Sequence, residues 1–159
     1  MHWNVRTAYW TLSVRLSRML KAIERRREEQ RRAIEAAARY LNDLETLLAP
    51  LSGIVYGSMA RGDFGPGSDT DVLVISDRLP EHPLRRLDLL FSKVSGDARI
   101  EPKGLTISEF TDLTGKGAPW LAHVLREGIL LRDDLGLLEG RCEGVATEEV
   151  LRREALRKE

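Results

Sequence analysis

The sequence predicts an α/β (α+β) domain of about 90 residues behind an N-terminal helical extension. Three observations lead there. Residues 1–49 contain no glycine and no proline, and their apolar residues recur at alternating spacings of three and four. After Pro50 come short apolar runs bounded by glycine, serine and aspartate, which read as strands. Segments of helical spacing alternate with those runs. The chain divides into a helical extension over 1–32, a domain over 33–138 and a charged tail or helix over 139–159.

The first segment carries Leu12, Leu16, Met19 and Ile23, then Ile34, Ala37, Leu41, Leu44 and Leu48, on one helical stripe. Between them "ERRREEQRR" keeps the phase but puts Arg27 and Gln30 where apolar residues belong. One long helix fits, and so do two helices meeting near 24–32. A continuous helix from Leu12 to Leu48 would span about 55 Å at 1.5 Å per residue, longer than such a domain is wide. Its early part would then be covered by a second copy or another partner, unless a hairpin folds back on itself. Pro50 ends the segment. "SGIVYG" is a strand candidate. "DVLVIS" is a second, largely β-branched and apolar, hence buried on both faces. "LRRLDLLFSKV" (84–94) has helical spacing. "DARIEPKGLTI" (97–107) reads as a third strand, which Pro102 places near a sheet edge. "PWLAHVLREG" (119–128) is a helix with proline at its start and Gly128 at its stop. "ILLRDD" is a short strand or extended exit, and "TGKG" (114–117) is a turn without the spacing of a phosphate-binding P-loop.

Composition narrows the function classes. Arg and Lys total 25 and so do Asp and Glu, so no overall field draws the chain to nucleic acid, and direct nucleic-acid binding is not expected. The charge is uneven: residues 1–50 carry ten basic against six acidic groups, and residues 51–140 carry ten against fourteen. Cys142 stands alone, which fits a reducing compartment. His2, His82 and His123 are scattered and have no cysteine partners, which argues against a zinc site. No apolar run approaches a membrane span, and Arg6, Arg15 and Arg18 interrupt any signal-peptide core. A cytoplasmic location, without a membrane, is the expectation.

The chemistry concentrates in "VYGSMARGDFGPGSDTDVLVIS", residues 55–76. Asp69 and Asp71 stand two apart at the mouth of a strand, so they share a face. Two carboxylates side by side repel unless a cation lies between them, and oxygen ligands of this kind suit Mg²⁺. Gly57 and Ser58 join the preceding strand to a short helix-forming stretch. Free backbone N–H groups and the Ser58 hydroxyl could cradle a phosphate there, and Gly57 would let it approach closely. Each half alone is also ordinary turn or N-cap chemistry. Together they supply what holding an Mg-nucleoside triphosphate needs. A D-x-D pair can also mark a metal-dependent glycosyltransferase, but that leaves Gly57 and Ser58 unexplained. The "RGD" at 61–63 falls inside the longer pattern.

"GSMARGDFGPGSDTDVLV" resembles the G-S-x10-D-x-D signature of the DNA polymerase β-like nucleotidyltransferases, and within them the minimal nucleotidyltransferase branch. Gly57, Ser58, Ala60, Arg61, Gly62, Ser68, Asp69 and Asp71 match its pattern. "LREGILLRDD" is similar to the branch's ending, with arginine in place of a tyrosine. The resemblance covers about residues 33–135 and implies a small mixed sheet flanked by helices. It also implies a third carboxylate on a neighbouring strand, acting as a base toward the acceptor hydroxyl. Asp97, Arg99 and Glu101 share one strand face, and the family's usual position selects Glu101 over Asp97. The implied assignment is then Asp69, Asp71 and Glu101 as catalytic and metal-holding residues, with Mg²⁺ as cofactor and ATP as substrate. Gly57, Ser58, Arg61 and Ser68 would bind the nucleotide.

The 88 residues after Asp71 leave no room for a separate acceptor domain, so the expected acceptor is small or is another protein. Members of the branch are paired with HEPN-domain proteins and serve as antitoxins, in some cases by transferring AMP to the partner. This chain lacks the R-x4-6-H motif of a HEPN nuclease, which puts it on the antitoxin side. Its basic N-terminal segment is the candidate docking element, for that partner or for a second copy. Two other readings stay open: transfer to a small molecule or RNA end, and a non-catalytic binding antitoxin with the same fold.

Overall fold

The computed structural model describes residues 5–96, 98–142 and 144–145. Its first element is one helix, α1 (Val5–Leu48), 44 residues long and therefore about 66 Å from end to end. Of the two arrangements open to the first segment, the continuous one is found. The stripe behaves differently along its length. Ala37, Tyr40, Leu41, Leu44 and Leu48 are buried on the sheet, whereas Leu12, Leu16, Met19, Leu20 and Ile23 are 45–63% exposed.

The remaining elements are β1 (Ser52–Tyr56), α2 (Gly57–Arg61), β2 (Thr70–Ile75), α3 (Pro83–Phe91), β3 (Ile100–Leu105), α4 (Ile107–Gly115), α5 (Pro119–Glu127), β4 (Ile129–Asp133) and the two-residue β5 (Gly144–Val145). They form a mixed sheet in the order β3-β2-β1-β4-β5. The pairs β1–β2 and β1–β4 are antiparallel, and β2–β3 and β4–β5 are parallel. β3 borders the sheet, as Pro102 predicts, because a proline has no N–H for a ladder on both sides. Val72, Leu73, Val74 and Ile75 are fully buried, which fits a strand paired on both sides and covered on both faces. β5 falls in the segment expected to be a charged tail or helix; residues 146–159 lie outside the described residues.

Two apolar layers close the sheet. On one face the C-terminal half of α1 packs with Leu90 of α3 against Val55, Val72 and Val74. The Tyr40 hydroxyl there donates to the Leu90 carbonyl at 2.9 Å. On the other face Phe110 of α4 and Leu121 and Val124 of α5 pack on Ile54, Leu73 and Ile75. Helix α4 is not anticipated in the sequence, where the third strand is read through Ile107. Its start carries a reciprocal cap: the Thr106 hydroxyl accepts from the Glu109 N–H at 3.2 Å, and the Glu109 carboxylate accepts from the Thr106 N–H at 2.9 Å.

Candidate active site

Three neighbouring strands bring the chemistry to one end of the sheet. Asp71 of β2 lies in register with Tyr56 of β1 on one side and Glu101 of β3 on the other. Residues two apart on a strand share a face, so Asp71 follows Leu73 and Ile75 onto the face covered by α4 and α5. Glu101 likewise shares the face of Leu105. Asp69 precedes β2 by one residue and is exposed. Asp71 feels the other two carboxylates. Burial first, then the charges of Glu101 and Asp69, hold the Asp71 carboxyl above its ordinary value, against a smaller opposing pull from Arg61. Tyr56 shares this environment: burial, then the charges of Asp71 and Glu101, push its phenol up to about 12. The phenol is therefore neutral at physiological pH and can only donate or accept hydrogen bonds as O–H.

The turn between β1 and β2 is shaped around Asp71. Gly57 has φ 72°, and a Cβ there would collide with Asp71 Oδ2, so both the backbone angle and the close approach require glycine. Ser58 follows within α2 and is half-buried. Its carbonyl accepts from the N–H groups of Gly62 and Asp63 at 2.9 and 3.2 Å, which closes the short helix. Ser68 is used inside the turn: its hydroxyl accepts from the Gly65 N–H at 3.0 Å. Arg61 reaches across to α5, bonding Asp63 at 3.1 Å and Glu127 at 3.4 Å.

The turn is anchored by side chains that the sequence reading did not assign. The Gln30 amide donates to the Met59 carbonyl at 2.8 Å and to the Ala60 carbonyl at 3.3 Å. Arg26 donates to the carbonyls of Gly62 and Phe64 at 2.9 and 2.5 Å and lies 4.9 Å from the centre of the Phe64 ring. From the other side Arg99 donates to the Gly67 carbonyl at 2.6 Å, and a Cβ at Gly67 would crowd its guanidinium. The polar interruption of the α1 stripe at Gln30 is thus where the helix leaves the sheet and takes hold of the turn. The signal was the break in the stripe; its meaning depended on a segment about 30 residues away.

The donor set fits a hard cation. Asp69, Asp71 and Glu101 offer only carboxylate oxygens, which suits Mg²⁺ and not a soft metal. Among the described residues no three acidic, histidine or cysteine side chains form a ready metal cage. Mg²⁺ needs none, since it keeps waters and takes phosphate oxygens alongside one or two carboxylates. The raised Asp71 carboxyl is the electrostatic mark of a place where added positive charge would be stabilised. Asp97, the other candidate third carboxylate, lies outside the described residues.

Residues 37–149 match the family described as "Nucleotidyltransferase domain". Among solved structures, the chain is similar to a candidate nucleotidyltransferase from Sulfolobus solfataricus, known from a crystal structure at 1.40 Å resolution. The TM-score is 0.50 at 20% identity, covering 66% of this chain and 84% of that one. This likeness is one of fold. No curated protein matches the sequence.

Proposed function

The chain belongs to the nucleotidyltransferase domain family, and from that premise we propose that it transfers a nucleoside monophosphate, AMP from ATP, to a hydroxyl on a protein partner. The observation that carries this reading is the registered pair Asp71 and Glu101, with Asp69 beside it and Gly57 packed against it. The α2 N–H groups and the Ser58 hydroxyl take the phosphates. Asp69 and Asp71, with Glu101 alongside, would hold Mg²⁺, which supplies charge neutralisation at the phosphates. Glu101 accepts the proton of the acceptor hydroxyl, whose oxygen forms a bond to the α-phosphorus. The bond from that phosphorus to the β-phosphate bridging oxygen breaks, and pyrophosphate leaves. Glu101 is exposed at the edge strand, so an acceptor carried by another molecule can reach it.

The partner reading is supported by α1. Its exposed stripe of Leu12, Leu16, Met19, Leu20 and Ile23 lies among Arg15, Arg18, Lys21, Arg25 and Arg27, with Glu24 the one acidic group between residues 12 and 27. A second copy would bring like charges together, whereas an acidic amphipathic helix would satisfy both stripe and rim. The occupant is therefore an acidic protein partner, and a HEPN-domain protein acting as the toxin of such a pair is the one to try. The test is incubation with Mg²⁺, the partner and ATP labelled at the α- or γ-phosphate. Label should reach the partner from the α position only. Glu101→Gln should slow transfer by about a hundredfold while nucleotide affinity stays within a few-fold. Transfer of γ-label, or an undiminished rate in the variant, contradicts the assignment.

A further inference from the structure

A cleft of about 500 Å³ opens beside Gly57, on the sheet face that carries Asp71 and Glu101. Its floor is Tyr56 and Lys103, and its wall is α5, through Trp120, His123, Val124 and Glu127. The volume falls within the ordinary range for small-ligand sites, and the lining is the usual kind: aromatic and apolar surface with a few polar groups. Gly57 and Arg61 at its mouth belong to the nucleotide site described above, whereas Lys103 and the α5 residues have no role in that reading. We propose that this cleft is the nucleobase subsite, with the base stacked on the Trp120 indole and its polar edge between Lys103 and Glu127. This rests on the nucleotide-binding reading of the site.

Three observations support it. The cleft begins at Gly57, the residue of the phosphate cradle, so a molecule whose phosphates lie there continues into it without a gap. Lys103 stands two residues beyond Glu101 on β3, about 7 Å along the strand and on the same face. That leaves room for a sugar between the carboxylates and the cleft. Finally, the Lys103 ammonium lies 4.1 Å from the centre of the Trp120 ring. A cation–ring contact of this kind is weaker than a stacked base, so a base can take that face of the partly buried Trp120 ring and release Lys103 to donate to a base carbonyl. Glu127 supplies the complementary acceptor for a base N–H. It already accepts from Arg61, at 3.4 Å, and lies 3.2 Å from His123 Nε2, so its position is fixed before any ligand arrives.

Calorimetry with Mg-ATP and with Mg-tripolyphosphate, which has no base, separates the cleft from the cradle. Trp120→Ala should weaken ATP binding by about tenfold, as expected for loss of one stacked base, and leave tripolyphosphate binding unchanged. Trp120→Phe keeps a ring and should recover most of the affinity. The base subsite is overturned if both variants bind ATP as the wild type does, or if ATP and tripolyphosphate are weakened in the same proportion. It is also overturned if Trp120→Ala slows transfer at unchanged ATP affinity, which would make the cleft an acceptor site. If wild-type protein binds tripolyphosphate and ATP equally, only the base subsite falls. If it binds neither, the nucleotide reading falls with it.

Discussion

The Asp71 carboxyl is a cost to the fold at the position proposed to hold the metal. Burial first, and then the charges of Glu101 and Asp69, hold it above the ordinary carboxylate value. A raised carboxyl binds its proton more tightly in the folded than in the unfolded chain. Its contribution to stability is therefore complete below the ordinary carboxylate value and is lost as pH rises through the raised one. At neutral pH the metal-free protein carries that penalty. Asp71→Asn removes the charge and should raise the melting temperature of the metal-free protein by about 2 °C, while abolishing metal-dependent nucleotide binding. Thermal melts with and without Mg²⁺ check this; a variant that melts lower than the wild type without metal contradicts it. The Asp69/Asp71 pair was legible in the sequence because two-residue spacing fixes a shared face. Glu101, which lies in register with Asp71, was singled out only through the family resemblance, since strand alternation left Asp97 on the same face and Asp97 lies outside the described residues. Tyr56 was missed: it precedes the Gly-Ser pair and reads as one more apolar strand residue until its neighbours across the sheet are known.

At the scale of elements, α1 does two different things with one stripe. Its C-terminal half closes the sheet, and around Arg26 and Gln30 it holds the turn that carries the proposed phosphate cradle. Gln30→Leu restores the apolar pattern but removes the donor to the Met59 and Ala60 carbonyls, at a cost of about 1 kcal/mol. The expected readout is amide exchange five to tenfold faster across Gly57–Asp63, with the Ala37–Leu48 turns unchanged. Unaltered exchange in α2 would show that the turn is held without α1. Periodicity could not choose between one helix and two, because a polar break in a stripe looks the same whether the chain bends or finds a polar partner. Helix α4 was missed for a different reason. Ile107 continues the strand's apolar pattern, and the Thr106–Glu109 cap, which was readable as T-x-x-E, falls inside that apparent strand.

For the whole molecule, the sheet, its edge strand and the two strands flanking the turn were readable because each run is short, apolar and bounded by turn residues. What could not be read is whether α1 runs on as one helix; once it does, its length already implies that the early part projects beyond the domain. Leu16→Lys with Met19→Lys changes only exposed positions on that projecting half, so the domain should fold and bind nucleotide as before. Pull-down and analytical ultracentrifugation should show binding to the proposed acidic partner weakened by tenfold or more; unchanged association would leave the stripe without the proposed occupant. Asp69, Asp71 and the Gly57-Ser58 turn are proposed to hold a metal-bound nucleoside triphosphate. Calorimetric titration of ATP into wild-type protein and into the Asp69→Asn, Asp71→Asn double variant, with and without Mg²⁺, tests this most directly. The expected result is Mg²⁺-dependent binding by the wild type and loss of that binding in a double variant that remains folded. Unchanged Mg-ATP affinity in the double variant would contradict it.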